Sequence, residues 1–100
     1  MFDPLLHQPL RTTVVSAIAA NEDGMSFKEL QQITDATQGN LASHLKTLED
    51  AGYIEYEKFF EGRRPKTIYK LTRQGKDAFN EYINHLANFI TTSQGGHTNE

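Results

Sequence analysis

One hundred residues with 37% hydrophobic content and ten Phe and Tyr suffice for one compact core but not two, and exclude a disordered composition. Cysteine is absent, which removes disulfides, thiolate metal sites and cysteine nucleophiles and fits a reducing, cytoplasmic setting. The net charge of −3 is unevenly placed: seven of the ten Lys and Arg fall within 58–76, where Glu61 is the one acid, so this window carries +6 and the remainder −9.

A dipole of that size either steers one face toward a polyanion or marks a solvated basic loop. The opening stretch MFDPLLHQPLRTT has no basic segment followed by a long apolar run, so a signal peptide is not expected, and no run has the length of a membrane span.

Pro9 suits the first turn of a helix, where its missing N–H has no partner to lose. Leu10, Val14, Ala17 and Ile18 recur at helical spacing, and Asp23-Gly24 ends the run. Ser26 with Glu29 forms a capping box for a second, short helix that is expected to bury Phe27, Leu30 and Ile33. Thr34-Asp35-Ala36 reads as a tight turn and Thr37 as the cap of a third helix over 37–51. Its buried stripe is Leu41, Leu45 and Leu48, and Gly52 is its left-handed stop.

The period then changes. Tyr53 to Phe60 and Thr67 to Leu71 are β-prone runs, and the Gly- and Pro-marked segment 61–66 between them predicts a hairpin with a basic tip. Thr72 caps a last helix over about 73–90, with Ala78, Phe79, Tyr82, Ile83, Leu86, Phe89 and Ile90 as its apolar positions. Residues 93–100 are expected to form a disordered polar tail beyond a single domain of residues 1–92. The fold class is therefore mainly α with a small β-hairpin (α+β), three helices packing together and the hairpin closing their open end.

The run from Thr37 to Gly75 carries an ordered set of short motifs. These are Gly39-Asn40-Leu41, His44-Leu45, Leu48-Glu49, Ala51-Gly52-Tyr53-Ile54 and the exit Leu71-Thr72-Arg73-Gln74-Gly75. In that order and spacing the chain resembles winged helix-turn-helix transcriptional regulators of the MarR and ArsR type, in their short single-domain form, from about Leu5 to Ile90. The resemblance implies sequence-specific binding to double-stranded DNA, usually as a homodimer and often as a repressor.

On that reading the third helix enters the major groove and presents Thr37, Gln38, Gly39, Asn40, Ser43 and Lys46. Gln38 and Asn40 can each make paired hydrogen bonds to adenine. Gly39 leaves room for close backbone approach, at a cost of about 1 kcal/mol relative to alanine. His44 is expected at the boundary of the stripe with some DNA contact. In the wing, Arg63, Arg64 and Lys66 suit a phosphate fork or a narrow minor groove.

The apolar surface of the last helix (Phe79, Tyr82, Ile83, Leu86, Phe89, Ile90) together with Phe2, Leu5 and Leu6 is expected to form a twofold dimer interface. The four histidines lack ligand-like spacing, so no metal and no cofactor are expected, and no residue constellation names an effector molecule. No nucleophile elbow, phosphate loop or partnered acid pair suggests an enzyme. The alternative is a winged helix used as a protein-interaction module, with its wing charges only solubilising.

Overall fold

The computed structural model describes residues 2–98, and side chains for residues 2–92. Seven elements follow one another: α1 (Pro9–Ala19), β1 (Met25–Ser26), α2 (Phe27–Thr34), α3 (Gln38–Asp50), β2 (Ile54–Glu61), β3 (Arg64–Leu71) and α4 (Arg73–Thr98). The three strands form one antiparallel sheet in the order β1-β3-β2.

Pro9 opens α1 at its first position, and the Gln8 side chain accepts from the Arg11 N–H at 2.8 Å. Val14, Val15 and Ile18 point into the core. At α2 both bonds of the capping box are present: the Glu29 N–H donates to Ser26 Oγ at 3.1 Å, and the Ser26 N–H donates to Glu29 Oε1 at 2.9 Å. Leu30 is fully buried and Phe27 half-buried, but Ile33 is 50% exposed. The expected burial of Ile33 is thus corrected. At 100° per residue, Phe27, Leu30 and Thr34 share the inner face, and Ile33 turns off it.

The α2–α3 turn closes at Asp35, whose φ of 55° is left-handed. Thr37 then caps α3 by accepting the Asn40 N–H at 3.1 Å. Leu41, Leu45 and Leu48 are all buried, so the predicted stripe is the packed one. Gly52, at φ 82°, ends the helix as expected.

Register in the hairpin runs from Ile54↔Leu71 to Glu61↔Arg64, which leaves only Gly62 and Arg63 in the turn. Gly62 has φ 66°, and Arg63 is not among the positive-φ residues, the pattern of a type II′ turn with glycine first. The basic loop expected over 61–66 is therefore mostly strand. Pro65 fits within β3 because Glu61↔Arg64 is the hydrogen-bonded pair next to the turn. Phe60↔Pro65 is then a non-bonded pair, and the missing N–H faces an edge that β1 does not reach.

Leu71 and Ile54 close the base of the sheet on the core. Thr72 Oγ1 caps α4 by accepting the Gly75 N–H at 2.9 Å while donating to the Gly52 carbonyl at 2.5 Å. A Cβ on Gly75 would lie 2.0 Å from the Tyr53 carbonyl oxygen, so only glycine fits where the α3–β2 connection crosses α4.

The N-terminal segment straps the far side of α4. Phe2 stacks on His7 at 4.7 Å and meets Tyr82 at 5.7 Å and Phe89 at 6.2 Å. The Tyr53 hydroxyl donates to Asp3 Oδ2 at 2.6 Å, and desolvation followed by that bond pushes its pKa up to about 12. The helix α4 continues through Thr98, beyond the apolar stripe that ends at Ile90; the rest of the expected tail, 99–100, lies outside the described residues. Among the described residues, no helix is long and apolar enough to cross a membrane.

Candidate nucleic-acid interface

The first turn of α3 is bare of packing. Thr37, Gln38, Gly39 and Asn40 are all exposed, as are Ser43 and Lys46 further along the helix. A Cβ on Gly39 would meet no atom within 4 Å, so nothing inside the chain accounts for a glycine there. The exposed amides of that turn form the positive end of the helix dipole, which suits a phosphate oxygen. Lys46 bonds Asp50 at 2.8 Å one turn on; that hydrogen bond, with the carboxylate charge, holds its ammonium above the usual lysine range.

His44 is half-buried on the flank of the same helix. The Arg11 guanidinium donates to its Nδ1 at 2.9 Å and also to the Leu5 carbonyl at 2.6 Å. A guanidinium can only donate, so His44 Nδ1 is an acceptor and its proton sits on Nε2. Burial first, and the Arg11 charge second, lower its pKa below the ordinary 6.5. Arg11 was not foreseen at the site, because its partner lies 33 residues away in sequence.

The hairpin sorts its charges by face. Alternate residues of a strand point to opposite sides, so Ile54, Tyr56, Lys58 and Phe60 share a face with their partners Leu71, Tyr69, Thr67 and Pro65. This face looks toward α3. Phe27, Ala42, Leu45, Lys46 and Glu49 from the helices line a groove of about 380 Å³ with Tyr56, Lys58, Thr67 and Tyr69. Lys58 reaches to 5.6 Å over the Tyr56 ring.

All three β2 carboxylates, Glu55, Glu57 and Glu61, fall on the opposite face, with Lys70, Lys66 and Arg64. There Glu61 lies 3.7 Å from Lys66, and Glu57 lies 3.2 Å from Lys70. Arg63 occupies the turn itself, and Arg63, Arg64 and Lys66 are all exposed. Lys58 thus stands on the side nearer α3 and Lys66 on the other, a distinction that depends on register and could not be drawn without it.

Of the residues expected at a dimer interface, Leu6 (1% exposed) and Tyr82 (6%) lie in the chain's own core and have no surface left to offer a partner. Phe2, Leu5, Phe79 and Leu86 are half-buried. Ile83, Phe89 and Ile90 remain open at 40%, 61% and 45%. Their spacing puts Ile83 and Ile90 two helical turns apart on one side of α4.

A family model described as a winged helix DNA-binding domain matches residues 10–90. The uncharacterized protein MJ0432 of Methanocaldococcus jannaschii is 44% identical over 57 residues, a match covering 57% of this chain and 62% of that protein, less than two thirds of its length. A transcriptional regulator homologue protein from Pyrococcus horikoshii OT3 superposes with a TM-score of 0.80 at 26% identity, over 88% of this chain and 86% of that one. MarR superposes with a TM-score of 0.76 over 95% of this chain and 68% of that one; at 23% identity it speaks for the fold.

Proposed function

The chain belongs to the winged helix DNA-binding domain family, and from that premise we propose that it is a sequence-specific repressor of transcription that binds double-stranded DNA as a homodimer in the cytoplasm. The observation that carries the reading is the open first turn of α3. A Cβ at Gly39 would meet nothing within 4 Å, and Gln38 and Asn40 stand exposed on either side of it.

In this account α3 lies in the major groove, with Gln38 and Asn40 hydrogen-bonding base edges. Thr37, Ser43, His44 and Lys46 sit along the groove walls. Arg63, in a stiff two-residue turn, reaches the flanking backbone or minor groove, and Arg64 and Lys66 follow from the outer face. Gly39 allows the helix backbone to come within reach of a phosphate. Chemistry here is recognition alone: exposed donors and acceptors on a rigid helix and a cationic wing.

The homodimer uses the open apolar side of α4, Ile83, Phe89 and Ile90, flanked by Leu86 and by Phe2 from the N-terminal strap. Twofold pairing through α4 would present two copies of α3 to the halves of a pseudo-palindrome. Residues 1–92 act as one DNA-binding domain that includes its dimer element.

The test is fluorescence anisotropy with the DNA upstream of the protein's own coding region and with scrambled DNA, across a salt series. Steep salt dependence with preference for the upstream region is expected of a self-regulating repressor. Binding to neither duplex at low salt overturns the reading in favour of a protein-interaction module.

A further inference from the structure

Phe60 is 72% exposed, more than any other large apolar side chain among the described residues. After Ile54 every residue of β2 is exposed, so the outer hairpin stands clear of the core and Phe60 contributes nothing to it. On its own face Phe60 is paired with Pro65 and followed down the strand by Lys58, with Arg63 in the adjoining turn. The three carboxylates of the strand are all on the other face. Phe60 therefore stands at the outer end of the face nearer α3, which it shares with Tyr56, Tyr69 and Lys58 and with none of the strand's three carboxylates.

We propose that Phe60 is an apolar anchor of the wing in the minor groove of DNA, packing against the deoxyribose walls while Arg63 reaches the phosphates. This rests on the DNA-binding reading above. Glu57 and Glu61 stand against Lys70 and Lys66 on the far face, so the face that carries Phe60 and Lys58 can meet a polyanion with no β2 carboxylate in the way. The minor groove is about 6 Å wide, which admits a two-residue turn and one ring rather than a helix. Its negative potential favours the cationic tip, and apolar side chains are used in that groove by other architectures. Pro65 opposite Phe60 fixes the strand backbone, so little freedom is lost when the ring is buried.

The experiment measures anisotropy of a fluorescein-labelled A·T-rich duplex with wild-type protein, Phe60→Ala, Phe60→Leu and the double variant Arg63→Ala with Arg64→Ala, across a salt series. Netropsin-saturated duplex, with its minor groove occupied, is run in parallel. Circular dichroism of both Phe60 variants is expected to match wild type.

Phe60→Ala is expected to bind about tenfold more weakly, as loss of a buried ring implies, with an unchanged salt slope because no charge is removed. Phe60→Leu is expected to recover most of the affinity. Netropsin is expected to abolish the difference between Phe60→Ala and wild type. Equal affinity of Phe60→Ala and wild type, with the arginine variant weakened, overturns the inference and leaves the DNA-binding reading standing. A difference that persists on netropsin-saturated duplex also overturns it. Failure of wild-type protein to bind the duplex at low salt overturns the reading beneath it.

Discussion

The Arg11 guanidinium, hydrogen-bonded at 2.9 Å to His44 Nδ1, ties α1 to the flank of α3, the helix proposed to read DNA. The same guanidinium holds the Leu5 carbonyl at 2.6 Å, so one side chain joins the N-terminal strap, α1 and α3. Replacing Arg11 with Met keeps its bulk and removes both bonds, which is expected to cost about 1–3 kcal/mol in urea unfolding. DNA affinity is expected to fall with it, since α3 is then held less firmly. Unchanged stability would show that the bonds carry no weight in solution.

Protonation of His44 breaks its acceptance from Arg11 and sets two cations side by side. Because the folded-state pKa lies below the ordinary 6.5, the unfolded chain takes up this proton at higher pH than the folded one. The contribution of His44 is therefore fully present above 6.5 and is lost as pH falls below it. Wild type minus His44→Gln, compared by denaturant midpoint on both sides of that pH, is expected to show stability rising with pH. A flat difference would contradict the arrangement.

Gly39→Ala separates fold from function. With nothing within 4 Å of the new methyl group, the helix is expected to gain up to about 1 kcal/mol in thermal unfolding. DNA affinity is expected to drop, because the methyl group stands where the proposed interface brings the helix backbone close to a phosphate. An alanine variant that is more stable and binds equally well would remove this turn from the interface.

Gly75→Ala should do the opposite. Its methyl group would lie 2.0 Å from the Tyr53 carbonyl oxygen, a backbone atom, and relief requires moving either α4 or the α3–β2 connection. A loss of about 1–3 kcal/mol is expected from overpacking, read as a lowered melting temperature.

Ile83→Asp and Ile90→Asp place a charge on the open side of α4. Light scattering of wild type at micromolar concentration is expected to give twice the 11.3 kDa chain mass, and of the variants the chain mass itself. Chain mass for wild type would contradict the homodimer.

What the sequence makes legible is what is local. Thr37, the leucines at 41, 45 and 48, and Gly52 mark the start, face and end of α3 within sixteen residues, and the structure keeps all three. Strand β1 is two residues long and exists because β3 offers Tyr69 and Ile68 as partners, a pairing no local pattern announces. Pro65 looks like a loop marker in sequence and becomes a strand residue only where one strand edge is left empty. Register likewise decides that Lys58, not Lys66, faces the side of α3. On α4, Tyr82 and Ile83 have similar apolar character in sequence, but packing under Phe2 buries the first and leaves the second open.

The central claim, that α3 reads bases through Gln38 and Asn40, is met most directly by selecting duplexes from a randomised pool with wild-type protein and with Asn40→Ala. Wild type is expected to enrich one pseudo-palindromic site, and the variant to lose preference at one base pair in each half-site while retaining the rest. Enrichment of no sequence by wild type, or of the same site unaltered by Asn40→Ala, would contradict the account.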